Sequence, residues 1–419
     1  MNLTDLEKSV LSGATGTPGD RMALEIVTGA ARMLGADSLV EIESSHIDGC
    51  LYHGDSGALF CEKLVAGKAK VSVPTTTNVG ALNLMDPKQC RLPEPQRKMA
   101  LRLMVAHSRM GCAPSWTCAP YQAGARPAQG TQIAWGESNA VAFANTVLGA
   151  RTNRYGDFLD IACAITARAP YYGLHKTENR VATLLIDVDG LSHQLKQQDA
   201  FFPVLGSLVG RLAGETVCVI QGMSPGATDD QLKSLCAGAA STGAVGLLHI
   251  AGITPEAPDV NTALANQTPA EVIRLTHEMI IDARNQLSAT NSGPIDSVAL
   301  GSPHFSIDEC KALLKLANGK PFSVPVYICL GRHTLEALEN ENLFQAMKDL
   351  GVIFVVDTCV VVTPILPDEP GVMMTNSAKF AHYASGNTGH QPVFGTLADC
   401  VASAQTATVQ WNQSLWNSQ

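Results

Sequence analysis

From Val181 onward, short apolar runs alternate with amphipathic stretches, and this limits the fold more than any other feature of the chain. VATLLIDVDG (181–190), TVCVIQGM (216–223), GAVGLLHIAGI (243–253), SVALGS (297–302), PVYICLG (325–331) and VIFVVDTCVVV (352–362) are β-branched and nearly unbroken. Between them lie helical patterns: DDQLKSLCAGAAS (229–241), PAEVIRLTHEMIIDARNQL (269–287), SIDECKALLKLAN (306–318) and LFQAMKDLG (343–351). Strands that are apolar on both faces, separated by amphipathic helices, predict an α/β fold with doubly wound parallel sheets covered on both sides. Ser306 followed by Glu309 predicts a capping box at one helix start. NSAKFAHYASGNTGHQPVFGTLADCVASA (376–404) reads as a polar loop and then a small-residue helix.

The first part of the chain reads differently. MNLTDLEKSVLSG predicts an amphipathic first helix, and DRMALEIVTGAARMLG (20–35) and EPQRKMALRLMVAHSRMG (94–111) predict two more, with strands at LVEIES (39–44) and KVSVPTT (70–76). The run Met110–Asp157 crowds Pro, Gly, Cys and polar residues together, a composition that interrupts both helix and strand, and then enters the apolar stretch AVAFANTVLGA. A polar, cysteine-bearing loop that leads into an apolar helix suits an active-site floor. With 419 residues the chain is too long for one small core. The expected lobes are a loop-rich active-site lobe at 1–180 and α/β lobes at 181–290 and 291–419.

Composition mainly excludes. The formal charge is −9 with scattered basic residues, which argues against a nucleic-acid partner. No leading basic-then-apolar segment and no uncharged run of membrane-spanning length is present, so a soluble, cytoplasmic protein without a membrane partner is expected. The 12 cysteines include no CxxC pair; most are expected to be buried thiols rather than disulfides, with a few left for metal or catalysis. No GxGxxG or Walker A sequence supports a nucleotide enzyme. The last residues, NQSLWNSQ, are expected to fray.

Polar groups at the ends of apolar runs are the candidates for chemistry. Asp357, Thr358 and Cys359 interrupt a valine-rich run, where an acid is costly unless it is paired or close to a cation or metal. Ser302 and His304 are expected just past one strand, and Cys329 and Arg332 just past another, with ordinary strand-end hydrogen bonding the plainer reading for Cys329. His46 reads from its surroundings as a buried, hydrogen-bonded ring, and Asn78 with Gly80 suits a tight turn at a strand's carboxyl end. Arg151 and Arg154, with Asn153 between them, either clamp a carboxylate or phosphate or form a surface pair with Asp157 or Asp160. Lys379 is either a substrate anchor or a solvated cation.

WTCAPY (116–121), IAWGESNAVAFANTVLGARTNRYGD (133–157), GSPHFS (301–306), VVDTCVVVTP (355–364) and TNSAKFAHY (375–383), in this order, closely resemble the large catalytic part of aconitase X; SSHIDG (44–49) and PTTTNVGAL (74–82) also fit. The resemblance covers nearly the whole chain. It implies an aconitase-like, multi-lobed fold and hydro-lyase activity. Bacterial members dehydrate cis-3-hydroxy-L-proline to Δ1-pyrroline-2-carboxylate, and archaeal members dehydrate mevalonate 5-phosphate. GSPHF, in place of the archaeal cysteine version, favours the proline substrate. The resemblance further implies a small swivelling domain that carries a catalytic serine. No such domain is found in this chain, so a separate small subunit is the expected partner. It maps iron ligands onto Cys118 and Cys359, two thiolates expected to meet at one pocket, with Ser302 at the third position. That set favours a 2Fe–2S cluster or a mononuclear iron over a 4Fe–4S centre. His46, His304 and Asp357 are the catalytic candidates, and Asn78, Ser138, Asn139, Arg151, Arg154 and Lys379 the substrate-binding ones. His46, Asn78 and His304 are also candidates to complete the iron coordination, while Cys112 is read as structural. A different small hydroxy acid, or a non-catalytic metal-binding subunit, is the competing reading.

Overall fold

A computed structural model describes residues 1–412 and Trp416, and the chain divides into two compact units, Met1–Val181 and Ala182–Gln419. Of the terminal stretch expected to fray, all but Asn412 and Trp416 lies outside the described residues.

The first unit is built around helices. Pro18–Met33 opens with a capping box from Thr17 and Asp20, and Asp5–Ser12 opens with another from Thr4 and Glu7. Its strands are short: β1 (Leu39–Glu41), β2 (Ser45–Ile47), β3 (Thr75–Thr77), β4 (Ala134–Trp135) and β5 (Arg168–Pro170). β1 pairs antiparallel with β5, while β3, β2 and β4 form a parallel sheet in that order. All three of these strands therefore point their carboxyl ends the same way. KVSVPTT yields a strand only from Thr75, because Pro74 before it cannot donate to a ladder. The loop Ala113–Thr117 runs beside β3: Ala113 N donates to Thr75 O at 2.8 Å and Thr117 N to Thr77 O at 3.1 Å. That pairing delivers Cys118 to the carboxyl end of β3.

The second unit contains two parallel sheets of like topology. β6 (Leu184–Asp187), β7 (Cys218–Gln221), β8 (Leu248–Ile250) and β9 (Glu271–Arg274) stand in the order β8-β7-β6-β9. β10 (Ser297–Phe305), β11 (Val326–Leu330), β12 (Val352–Val356), β13 (Val372–Thr375) and β14 (Gln391–Phe394) stand as β12-β11-β10-β13-β14. In each sheet the first strand is central, the chain winds out to one side, and it then returns to the other. This is the doubly wound order, with a switch point beside the first strand. A core of Val298, Leu300, Ile328, Leu330, Phe354 and Met374 joins the larger sheet to its covering helices.

Three sequence expectations fail here for identifiable reasons. Glu271–Arg274 is strand β9 rather than the start of a helix: it pairs in register with β6 from Leu184 to Asp187, and tertiary pairing overrides a helical pattern. The segment 376–404, read as a loop and one helix, is helix, strand and helix (Ala378–Thr388, β14, Leu397–Thr406), with left-handed Gly389 closing the first helix. Ser302 and His304 lie within β10 rather than past it, where the register with β11 shifts between Leu300 and Phe305 and the Ser302–Pro303 peptide is cis.

Candidate active site

In the first unit the parallel strands end in a polar cluster. His46 sits on β2, is fully buried, and places Nδ1 2.8 Å from Thr76 Oγ1, while its Nε2 has no partner. Burial lowers its pKa to about 4, against an opposing pull from Glu137, so the ring is neutral near pH 7. Asp48 follows β2, Asn78 follows β3, and Gly136-Glu137-Ser138 follows β4. Asn78 Nδ2 donates to Asp48 Oδ1 at 2.5 Å. Glu137 caps the helix Ser138–Thr146 by accepting from Ala140 N at 2.6 Å. Asn139 Nδ2 donates to Cys118 O and to Tyr121 OH, which ties that helix to the cysteine loop. Beneath the cluster, Asp160 accepts from the backbone N–H groups of Asp48, Gly49 and Ile161; burial nevertheless raises its pKa to about 7.

In the second unit, polar residues collect at the carboxyl side of the larger sheet, next to the β10/β13 switch point, where open α/β sheets bind ligands. β12 stops at Val356, and the chain turns through Asp357 at φ 65°. Arg332 grips that carboxylate with two bonds, Nε to Oδ1 at 2.6 Å and Nη2 to Oδ2 at 2.7 Å. His304 Nε2 lies 3.2 Å from Thr358 O and Thr358 Oγ1 lies 2.6 Å from Thr363 Oγ1, so the turn is held from both sides. Burial lowers the pKa of His304 to about 3. Cys359 is buried, yet hydrogen bonding from Cys329 outweighs desolvation, helped by the Val361 N–H, Lys379 and Ser302, and holds its thiol below the usual range. Ser377 donates to Ser302 O, and a cavity of about 30 Å³ is lined by Ser302, Pro303, Ser377 and Lys379 among others.

Some of the chain's positive-φ positions lie at or near these clusters. Trp116, Glu137, Phe158 and Asp357 are bulky or charged residues at φ 42°, 65°, 73° and 65°, a region such side chains seldom occupy outside functional turns.

Comparison with known proteins separates the possible families. Residues 1–178, 182–285 and 295–406 match the first, second and third domains of aconitase X. The chain belongs to the aconitase X family. It is 39% identical to the cis-3-hydroxy-L-proline dehydratase of Pseudomonas aeruginosa, across 96% of this chain and 70% of that protein. It is 34% identical to the phosphomevalonate dehydratase large subunit of Methanothermobacter thermautotrophicus, across 89% and 92%. The crystal structure of Thermococcus kodakaraensis aconitase X (holo-form) superimposes with a TM-score of 0.86 at 31% identity, covering 96% of this chain and all of that one (100%). The relatives are dehydratases, and the chain is a hydro-lyase of this aconitase X group.

Against this background the sequence candidates sort by unit. His46, Asn78, Ser138, Asn139 and Cys118 are brought to one set of strand ends, and Ser302, His304, Asp357, Cys359 and Lys379 to another. Arg151 does not join them. Its run pairs beside β4 with Gln132 opposite Arg151, which sets Arg151 back toward the amino end of that strand, and its Nη1 donates to Thr177 Oγ1 at 2.7 Å. Arg154, three residues on, is exposed. Asp160, one of the surface partners the sequence offered for these arginines, is taken up by backbone N–H groups. Asp48 and Glu137 were missed from the sequence. The signal available was an acid one or two residues past β2 and β4, in HIDG and AWGES.

The aconitase X family implies an iron-containing cofactor. Cys359 suits a thiolate ligand, because the donors around it favour the charged sulfur. Among the described residues no group of three or more His, Cys, Asp or Glu side chains is arranged to hold a metal ion, so a three-cysteine cage is not displayed. Among the described residues no helix is long and apolar enough to cross a membrane.

Proposed function

We propose that this chain is the large subunit of an iron-dependent dehydratase that converts cis-3-hydroxy-L-proline to Δ1-pyrroline-2-carboxylate. The observation that carries the substrate is the pattern of relatedness. Identity is 39% and 38% to two cis-3-hydroxy-L-proline dehydratases over 96% of the chain, against 34% and 32% to two phosphomevalonate dehydratase large subunits.

Dehydration requires removal of an α-proton and loss of hydroxide. Iron, when bound, supplies a Lewis acid for the leaving hydroxyl. Cys118, Cys359 and Ser302 are the proposed ligands, and one serine among two cysteines favours a 2Fe–2S or mononuclear centre over 4Fe–4S. Lys379 and Arg154 hold carboxylate charge, and Asn78, Ser138 and Asn139 orient the substrate. His46, neutral and with Nε2 unpartnered, is suited to hold a proton at that atom. His304 and Asp357 are engaged in shaping the Thr358–Cys359 turn and act by positioning. A separate small subunit supplies the serine base, and the complex works in the cytoplasm.

The test is anaerobic purification with the small partner, quantification of iron and sulfide, and assay of both substrates. Turnover of 3-hydroxyproline is expected; turnover of mevalonate 5-phosphate alone refutes the assignment. Cys118→Ala and Cys359→Ala are each expected to lose iron, and full retention by either removes that residue as a ligand.

A further inference from the structure

The strand-end cluster of the first unit is rich in hydrogen-bond acceptors. Asn78 spends its amide nitrogen on Asp48, and since an ionised carboxylate only accepts, the amide orientation is fixed and Asn78 Oδ1 is left buried without a partner. Asn139 repeats the arrangement: its nitrogen donates to Cys118 O and Tyr121 OH, and its Oδ1 is buried and unpartnered. A buried acceptor left without a donor is destabilising unless a ligand or water meets it. Asn78 lies against Asp48, and Asn139 follows Glu137 by two residues at the start of the helix that Glu137 caps. Gly136 packs so tightly that an added Cβ would fall 2.6 Å from Asp48 Cβ, which sets the Asp48 strand end against the one carrying Glu137. The neighbouring His46 ring is neutral and brings no positive charge to the cluster.

We propose that Asp48, Glu137, Asn78 Oδ1 and Asn139 Oδ1 form a subsite for the protonated nitrogen of an amino- or imino-acid substrate. The inference rests on the dehydratase reading above and narrows it to acids that carry a cationic nitrogen. A ring ammonium brings two N–H donors and one positive charge to a site offering acceptors and negative charge, so its bonds are charge-assisted. A phosphate brings the opposite on both counts and is repelled.

Two ring acids of the same shape test this: L-proline, and (S)-tetrahydrofuran-2-carboxylate, in which oxygen replaces the ammonium. Binding to the full chain with its small partner is measured by calorimetry for wild type, Asp48→Asn and Glu137→Gln, with circular dichroism confirming the fold. Wild type is expected to prefer proline by about tenfold or more, as a charge-assisted contact would give. Each variant should bring the preference near unity without weakening the ether. Equal binding of the two acids by wild type, binding of neither, or a preference undiminished in both folded variants overturns the subsite. If the preference is present and is lost in the variants while 3-hydroxyproline is not dehydrated, the ammonium subsite stands and the hydroxyproline assignment falls.

Discussion

Asp160 shows how a single side chain shapes the first unit. Three backbone N–H groups stabilise its carboxylate, yet burial outweighs them and raises its pKa from 3.8 to about 7. The folded state therefore binds this proton more tightly than the unfolded one. The resulting stability is fully present below about pH 4 and is lost as pH rises to about 7, at up to about 1.4 kcal/mol per pH unit. Asp160→Asn should remove that slope, and denaturant unfolding at pH 5 and pH 7.5 should show the gap between wild type and variant moving in the variant's favour at the higher pH. In the second unit, Arg332→Met leaves Asp357 buried and unpaired at a left-handed turn. The pair is half-open on the arginine side, so the loss should be about 2 kcal/mol rather than the full cost of a buried pair. Asp357→Asn in the same chain should restore part of it. The sequence marked Asp357 as abnormal among valines but not its partner, because Arg332 and Asp357 belong to different strand–helix units and meet only when β11 and β12 pair.

At the scale of elements, the helix Asp229–Thr242 is fastened to the end of β10 by charge. Lys233, 2% exposed, reaches Glu309 Oε2 at 2.5 Å, Asp230 Oδ1 at 2.8 Å and His304 O at 3.3 Å, and Ser306 Oγ donates to Asp230. Lys233→Met should destabilise the protein by about 3 kcal/mol, as expected when one partner of a buried pair is removed, and adding Glu309→Gln should recover part of the loss; urea midpoints measure both. Capping was the most legible element signal: the box from Ser306 to Glu309 is present as its spacing implied. The strand at Glu271–Arg274 was not legible, since four residues with a following helical pattern read as one helix until β6 offers them a ladder.

Across the whole chain, all 12 cysteines are free and buried. Burial raises the thiols of Cys50, Cys61, Cys112, Cys163 and Cys218. A thiol reagent should find few fast-reacting groups in the native protein and all 12 after denaturation under non-reducing conditions; fewer than that would reveal disulfides. The alternation of apolar runs and amphipathic stretches determined the fold class by itself, because the side-chain periods of strands and helices are local properties of the chain. The family was equally legible, since its motifs are contiguous. Which polar groups meet was decided only by tertiary structure: Asp48 comes beside Gly136-Glu137 because β2 and β4 pair in parallel, and Arg151 is set apart by its place along β4. Parallel pairing brings residues distant in sequence to one edge, and the pairing partner of a strand is not a local property.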